Sequence, residues 1–492
     1  MRQSLYLRCI GVLCVCIGGS KGLTADYGAC NNVCGLLLLV EPSVNTPLGI
    51  VAADPDFDPA VDQKKLDNAW DEEGKPLFWV QQQQAVRPSC LFPPRNVDEI
   101  ATLIAAARQD GCPFAVRGGG HSDIPGASNS DGGITVNMAG LSDVVVDEAA
   151  GVARVGAGAK WGDVYRELEK TNRTVVGGRL RDVGVGGLLF LPTVLPSTSP
   201  NLPIRTSYRA LRGGGNNFGV VTRFDLDLYA QGPMWGRSAR LAAAAFAHEA
   251  PSDPHVSLFA GLGYMQGNFA WAVGQYDALG REEPPIFARF RDDVETYGAQ
   301  KIASTARVTS LSNLAEELNQ SEPPGKRSRF TTATFKVDQA LLQQMAAFYV
   351  EQVKKALDNG LEKDEGFAPM LGIQPLTRNI LREQAKRGGN VMGLSEEDGP
   401  LMVCSFGWEW SHESDDGTVI AGIKAVLEQS VAAAKERGLY HPFKYMNYAA
   451  EDQDPIAGYG SDNVNFLKEV QQRYDPGGVF TKLVPGWFKV RP

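Results

Sequence analysis

A run of three glycines closed by a histidine, Arg117-Gly118-Gly119-Gly120-His121-Ser122, ends the short apolar stretch Phe114-Ala115-Val116 and constrains this chain more than any other feature. Consecutive glycines release the backbone to positive φ and let another molecule approach it closely. Successive N–H groups in such a turn make a concave anion site that suits a pyrophosphate. The histidine sets a nucleophilic imidazole at the rim of whatever the loop holds. Together they predict a dinucleotide cofactor and leave open its covalent attachment.

With 492 residues the chain has the length for about two domains. A formal net charge of −9 argues against nucleic acid or an anionic membrane as a partner. The N-terminus has the form of a secretory leader: Arg2 and Arg8, an apolar run from Cys9 to Ile17, then Gly18, Gly19 and Ser20. That run is too short to span a bilayer, and no later stretch is long enough. Residues 1–20 are therefore expected to be a signal peptide of a secreted protein. Beyond it stand Cys30, Cys34, Cys90, Cys112 and Cys404. In an oxidising compartment a bridge from Cys30 or Cys34 to Cys90 would pin the N-terminal arm. Cys112 and Cys404, in apolar contexts, read as buried free thiols. Asn172-Arg173-Thr174 and Asn319-Gln320-Ser321 are glycosylation sequons.

Residues 21–84 are polar and weakly periodic and read as an arm. Asn96-Val97-Asp98-Glu99 has capping-box spacing, and Ile100, Leu103, Ile104 and Ala107 hold one helical face as far as Gly111. Strands are predicted at 114–116, 134–136, 144–146 and 152–155, then a helix from Trp161 to Leu168. Strand and helix mix without strict alternation, so the class is α+β. The region 233–440 adds strands at 256–259 and 269–273 and helices at 338–360 and about 417–438. Between those helices Met402, Cys404, Phe406, Trp408 and Trp410 form a strand with one apolar face, which favours sheet core over a ligand-binding role for the tryptophans. A dense closing segment, 441–492, holds Tyr445-Met446-Asn447-Tyr448-Ala449, Tyr459-Gly460 and a helix from Asp462 to Tyr474.

Common nucleotide motifs fail. Gly156-Ala157-Gly158 meets Trp161 where a Rossmann fingerprint needs a small residue, Gly184-Val185-Gly186-Gly187 meets Leu189, and no Walker loop or Gly-x-Ser-x-Gly elbow is present. The histidines show no metal-ligand spacing. Pro88-Ser89-Cys90, Arg117–Ser122, Val175-Val176-Gly177-Gly178-Arg179 and Val183–Leu188 do follow a known order, as do Ala210–Thr222, with Gly213-Gly214-Gly215-Asn216-Asn217-Phe218-Gly219-Val220-Val221, and Asn447-Tyr448-Ala449 before Tyr474-Asp475-Pro476-Gly477-Gly478-Val479-Phe480. In this the chain, from about residue 85 on, resembles the berberine bridge enzyme-like oxidases of the vanillyl-alcohol oxidase superfamily, most closely the secreted fungal members.

The resemblance implies a two-part FAD-binding domain, 85–232 completed by 441–492, with a substrate domain of antiparallel sheet covered by helices inserted at 233–440. It implies that His121 bonds covalently to the 8α carbon of FAD, and that Arg117, Gly118, Gly119, Gly120, Ser122, Gly184, Gly186 and Gly187 line the cofactor with Gly219, Val221 and Asn447. An imidazolyl substituent withdraws electron density from a flavin and makes it a stronger oxidant. Tyr448 matches the family's catalytic base. A free tyrosine near pKa ~10 needs a neighbouring positive charge or hydrogen bonds to serve in that role, and Lys444 is near in sequence. The expected reaction removes hydride from an alcohol or amine carbon of a small molecule, with O2 as acceptor, in a monomer. A flavin dehydrogenase and an inactive variant are the alternatives. The pattern breaks after Gly187. The composition of 192–207 is linker-like and Arg212-Gly213-Gly214 arrives with no intervening cysteine, so the chain has either a shortened flavin domain or a faulty exon junction at 188–210.

Overall fold

The computed structural model describes residues 78–189, 205–239, 253–265, 267–287, 305–386 and 388–491, with Arg8–Cys9, Val12–Leu13, Cys30 and Val33–Cys34. Of the stretch read as linker-like, 192–204 lie outside the described residues, as does most of the arm, while residues 205–207 open a helix, Arg205–Gly214, rather than a linker.

Local signals act where the sequence puts them. Asn96 Oδ1 accepts a hydrogen bond from Glu99 N at 2.9 Å, and Gly111, at φ 72°, closes α1 (Val97–Asp110). A left-handed residue there favours glycine, which has no Cβ to clash. The buried stripe Ile100, Leu103, Ile104 and Ala107 joins one core with a parallel sheet of β1 (Cys90–Phe92), β2 (Phe114–Arg117) and β3 (Ile134–Asn137), β3 central. An antiparallel trio follows, β4 (Val144–Asp147), β5 (Val152–Gly156) and β6 (Arg223–Asp227), β5 central, with α2 (Trp161–Glu169) after β5.

Cys34 bonds Cys90, one of the two expected pairings. Cys30 bonds Cys112, so Cys112 is not a free thiol: apolar surroundings bury a disulfide as readily as a thiol, and its neighbours did not distinguish the two. Cys404 is buried and free. Val12–Leu13 pairs antiparallel with Val220–Val221. These two residues of the run read as a leader lie along a strand edge that would otherwise present unpaired N–H and C=O groups.

Among the described residues, the region expected as an insertion forms one antiparallel sheet of eight strands. These are β7 (Met234–Ala239), β8 (Val256–Met265), β9 (Asn268–Asp277), β10 (Arg307–Thr309), β11 (Arg327–Lys336), β12 (Ala368–Leu376), β13 (Leu401–Trp410) and β14 (Tyr440–His441). They lie in the order β10-β7-β9-β8-β12-β13-β11-β14. Two helices, α3 (Gln339–Asp358, capped by Asp338) and α4 (Asp416–Glu436), cover one face and share a core with Phe406, Trp408 and Trp410. Trp408 and Trp410 are core residues. One expectation needs correcting: β13 is buried on both faces, since Leu401 and Val403 also pack into the core around α1 and β1–β3 with Phe443 and Tyr445.

After β14 the chain returns to the first domain. Leu467 and Val470 of α5 (Ser461–Tyr474), with Val479, Phe480 and Leu483, enter its core, and Phe114 N donates to Leu483 O at 2.7 Å. The Asp475 carboxylate accepts from Val479 N and Phe480 N at 2.8 and 2.9 Å, which fixes the turn at Pro476-Gly477-Gly478. No helix among the described residues is long and apolar enough to cross a membrane.

Candidate active site

Three glycine-bearing loops meet backbone to backbone. A Cβ on Gly119 would lie 2.4 Å from Gly184 N, and one on Gly184 would lie 2.2 Å from Gly119 N. Gly118 and Gly186 both face Ala157 O, which a Cβ on either would meet at 3.5 and 3.0 Å. Gly120 sits at φ 69°. The strand after Gly219 is drawn onto this junction through Ala157 N, which donates to Thr222 O at 3.0 Å, and Val221 is buried beside it. From the far end of the chain Asn447 Nδ2 donates to Gly187 O at 3.3 Å. The residues expected to line the cofactor thus converge on a seam of main chain with no side chains in the way. A Cβ on Gly119 or Gly184 would drive the two loops apart, while Gly187 opens on free space, and such an exposed main-chain seam fits the pyrophosphate and ribityl of FAD.

Arg117 is buried inside the loop. Its guanidinium donates to Asn137 Oδ1 at 2.7 Å and lies 5.4 Å over the Phe78 ring, so it holds the loop's shape. Ser122 Oγ accepts from Ile124 N at 3.2 Å. The next carboxylate, Asp123, accepts from Phe330 N at 2.8 Å, tying the histidine loop to β11, and burial pushes its carboxyl up to about 6. The His121 imidazole is brought down to about 4, chiefly because burial disfavours the charged ring. It is neutral near pH 7, with a nitrogen lone pair available.

Arg179 supplies what Lys444 does not. Its guanidinium donates to Tyr448 Oη at 3.0 Å across 269 residues, and it lies 4.2 Å over the Phe259 ring. Lys444 is half-buried and faces Asp454 and Lys435. Arg179 is delivered by the turn Gly177-Gly178, where a Cβ on either residue would strike the Trp161 ring at 2.1 and 2.5 Å. Tyr165 Oη fixes the same turn by donating to Gly178 O at 2.6 Å. Phe330 from β11 stacks on Tyr448 with centroids 5.9 Å apart, and Tyr445 meets it edge-on at 4.7 Å. Phe330 lies flat because Gly407 opposite it has no Cβ, which would otherwise be 2.4 Å from its ring.

The same face of the sheet carries Glu409, paired with Lys326 at 3.1 Å. Burial and the Glu409 charge push the neighbouring Glu322 carboxyl above its usual range. Tyr459 donates to Gly213 O at 2.9 Å and is core. Asn319 of the second sequon accepts from Asp182 N at 3.0 Å and donates to its carboxylate at 2.7 Å, bonds that a glycan would break.

Sequence reasoning missed Arg179, Phe330 and Trp79 as site residues. Arg179 closes a motif already singled out. Trp79 sits in Phe78-Trp79-Val80, an apolar triplet at the end of a polar arm, and that contrast was its only signal.

Residues 88–190 match the FAD binding domain family. An FAD-dependent monooxygenase, FUP4, of Fusarium proliferatum (strain ET1) is 61% identical, with all of both chains covered. That alignment runs to 531 positions, 39 more than the 492 residues of this chain. Among solved structures, the BBE-like 1 protein of Physcomitrella patens superposes with a TM-score of 0.64 at 18% identity, covering 88% of this chain and 96% of that one. The 6-hydroxy-D-nicotine oxidase of Arthrobacter nicotinovorans gives 0.62 at 19% identity, covering 89% and 98%. These matches, set on the glycine seam, identify the chain as an FAD-dependent oxidoreductase of one family with the Fusarium FAD-dependent monooxygenase, with the fold of the two solved structures.

Proposed function

We propose that this protein removes a hydride from an alcohol or amine carbon of a small molecule, with His121 as covalent anchor of FAD and Tyr448 as base. The observation that carries the reading is the Tyr448–Arg179 pair at 3.0 Å, set beside Phe330 on the sheet that faces the glycine seam. Tyr448 Oη takes the substrate's O–H or N–H proton, and the Arg179 guanidinium balances the negative charge that develops on the phenolic oxygen. FAD, when bound, would supply the two-electron acceptor for the hydride, with O2 as the final acceptor and H2O2 as its product. Phe259 and Phe330 give the substrate a flat apolar wall. Arg179→Ala removes a charge-assisted hydrogen bond of about 1.5–3 kcal/mol, so kcat is expected to fall ~10- to 150-fold with FAD content unchanged. Unaltered kcat in that variant would remove Arg179 from the chemistry.

The anchor is tested on acid-denatured protein. Flavin fluorescence should stay with the wild-type polypeptide on a denaturing gel and be absent from His121→Ala. A colourless wild-type band would sink the covalent reading.

The name of the Fusarium relative favours a second reading, in which one atom of O2 enters the product. Turnover under labelled O2 separates the two, since an oxidase leaves the label in peroxide and none in the organic product. We also infer secretion, which the two disulfides support. The N-terminal sequence of protein recovered from culture medium tests it. The 39 alignment positions that this chain leaves unfilled fit an internal omission, which the broken motif order puts at 188–210 and which sequencing the transcript across those codons checks.

A further inference from the structure

We propose that Trp79 is the positioning residue for flavin attachment, its indole stacked on His121 to hold the imidazole in one plane at the rim of the glycine loop. The proposal rests on the reading of His121 as the anchor. The two rings lie 4.4 Å apart, centroid to centroid, and within 11° of parallel. Trp79 is itself fixed on every side. Its N–H donates to Gly120 O at 3.0 Å, its carbonyl accepts from Gly325 N at 2.8 Å, and its Nε1 donates to Glu322 O at 3.4 Å. Phe330 closes the remaining side at 6.1 Å, so a continuous row of rings runs from His121 through Trp79 and Phe330 to Tyr448.

The segment that carries Trp79 is a strap between the two parts of the molecule. Gln81 Nε2 donates to Gly325 O at 2.9 Å and Gln82 Nε2 to Ser328 O at 2.9 Å, both on the sheet side. Gln83 Nε2 donates to Ile124 O at 2.7 Å, on the histidine-loop side. Asn129 Nδ2 returns a bond to Gln83 O at 3.0 Å. Residues 78–84, which composition placed in a loose arm, are thus stitched to both walls of the site.

A free imidazole rotates about two side-chain torsions, whereas bonding to one carbon demands one ring plane and one lone-pair direction. Stacking removes that rotation. The covering indole also excludes water, and an imidazole kept from water stays neutral, the form that has a lone pair to give. Asp182 and Lys160 are the charged groups that act on His121, and they oppose each other. In the attachment itself the imidazole and the 8α methyl each give up a proton and an N–C bond forms. The two electrons released pass through the flavin to O2, which leaves with both protons as H2O2.

The test compares Trp79→Leu, which keeps an apolar side chain without a ring, with Trp79→Phe, which keeps a ring, and with Gln82→Ala, which loosens the strap and leaves the stack. Each purified protein is denatured in acid, and the flavin retained by the polypeptide is measured against the FAD bound beforehand. Wild type, Trp79→Phe and Gln82→Ala are expected to retain it. Trp79→Leu should attach flavin roughly 100-fold more slowly, at a melting temperature no lower than that of Gln82→Ala. Attachment at the wild-type rate in Trp79→Leu would overturn the proposal. If the wild type carries no covalent flavin, the anchor reading fails, and NMR titration of His121 decides the stack by itself. A midpoint that rises from about 4 toward 6.5 in Trp79→Leu supports it, and an unmoved midpoint overturns it.

Discussion

Tyr448→Phe should lower kcat by ~10²- to 10⁴-fold, the range lost when a positioned general base is removed. The substitution takes away one oxygen, whose polar contact is the 3.0 Å bond from Arg179, and leaves the ring stacked on Phe330 and edge-on to Tyr445. Packing is conserved, so FAD content and melting temperature should match wild type. Anaerobic mixing with substrate isolates the step, because flavin bleaching then reports hydride removal without O2. A Tyr448→Phe enzyme that bleaches its flavin within threefold of wild type would exclude the tyrosine as base.

Gly119→Ala should release FAD altogether. Its added methyl would sit 2.4 Å from Gly184 N, 2.7 Å from Gly184 Cα and 3.1 Å from Asp182 O. All three are main-chain atoms, so no rotamer change relieves the clash and the two loops must part. Overpacking of this kind costs about 1–3 kcal/mol of stability, and the larger effect is geometric. A cradle made by two loops in contact loses its shape when they separate by even an ångström, and His121 moves with the loop. The variant should elute colourless from gel filtration, with free FAD recovered apart from protein. Gly417→Ala, where an added Cβ meets nothing within 4 Å, is the matched control and should stay yellow. A yellow Gly119→Ala protein at wild-type stoichiometry would show that the seam does not hold the cofactor.

Legibility in the sequence tracked how local each interaction is. The first long helix could be read from its own residues, because Asn96, the stripe from Ile100 to Ala107 and Gly111 all act within a few positions. The helix behind Asp338 is the same case. Cys112 shows the limit, since an apolar neighbourhood says that a sulfur is buried and nothing about whether another sulfur lies against it. The strand from Leu401 to Trp410 shows it too. Alternation revealed the face under the helices, while the cover on its second face comes from Phe443 and Tyr445, which reach it only after the chain turns back.

For the site, the glycines and His121 were readable because main-chain freedom and an imidazole are chemical facts of single residues. Their partners were not. The cation beside Tyr448 comes from a turn 269 residues away and displaced the sequence neighbour Lys444. Trp79 is held against His121 by a strap whose glutamines, unremarked as a polar run, bond main chain on both sides of it: Gln81 and Gln82 at Gly325 and Ser328, Gln83 at Ile124, and Gln84 back at Phe78. By itself the sequence determined that a backbone cradle, a nucleophilic ring and a phenol would exist in this protein, since each is written in the residues that form it. Only the tertiary structure decided what stands against them, because contacts between distant segments are set by how whole domains pack and by no pattern along the chain.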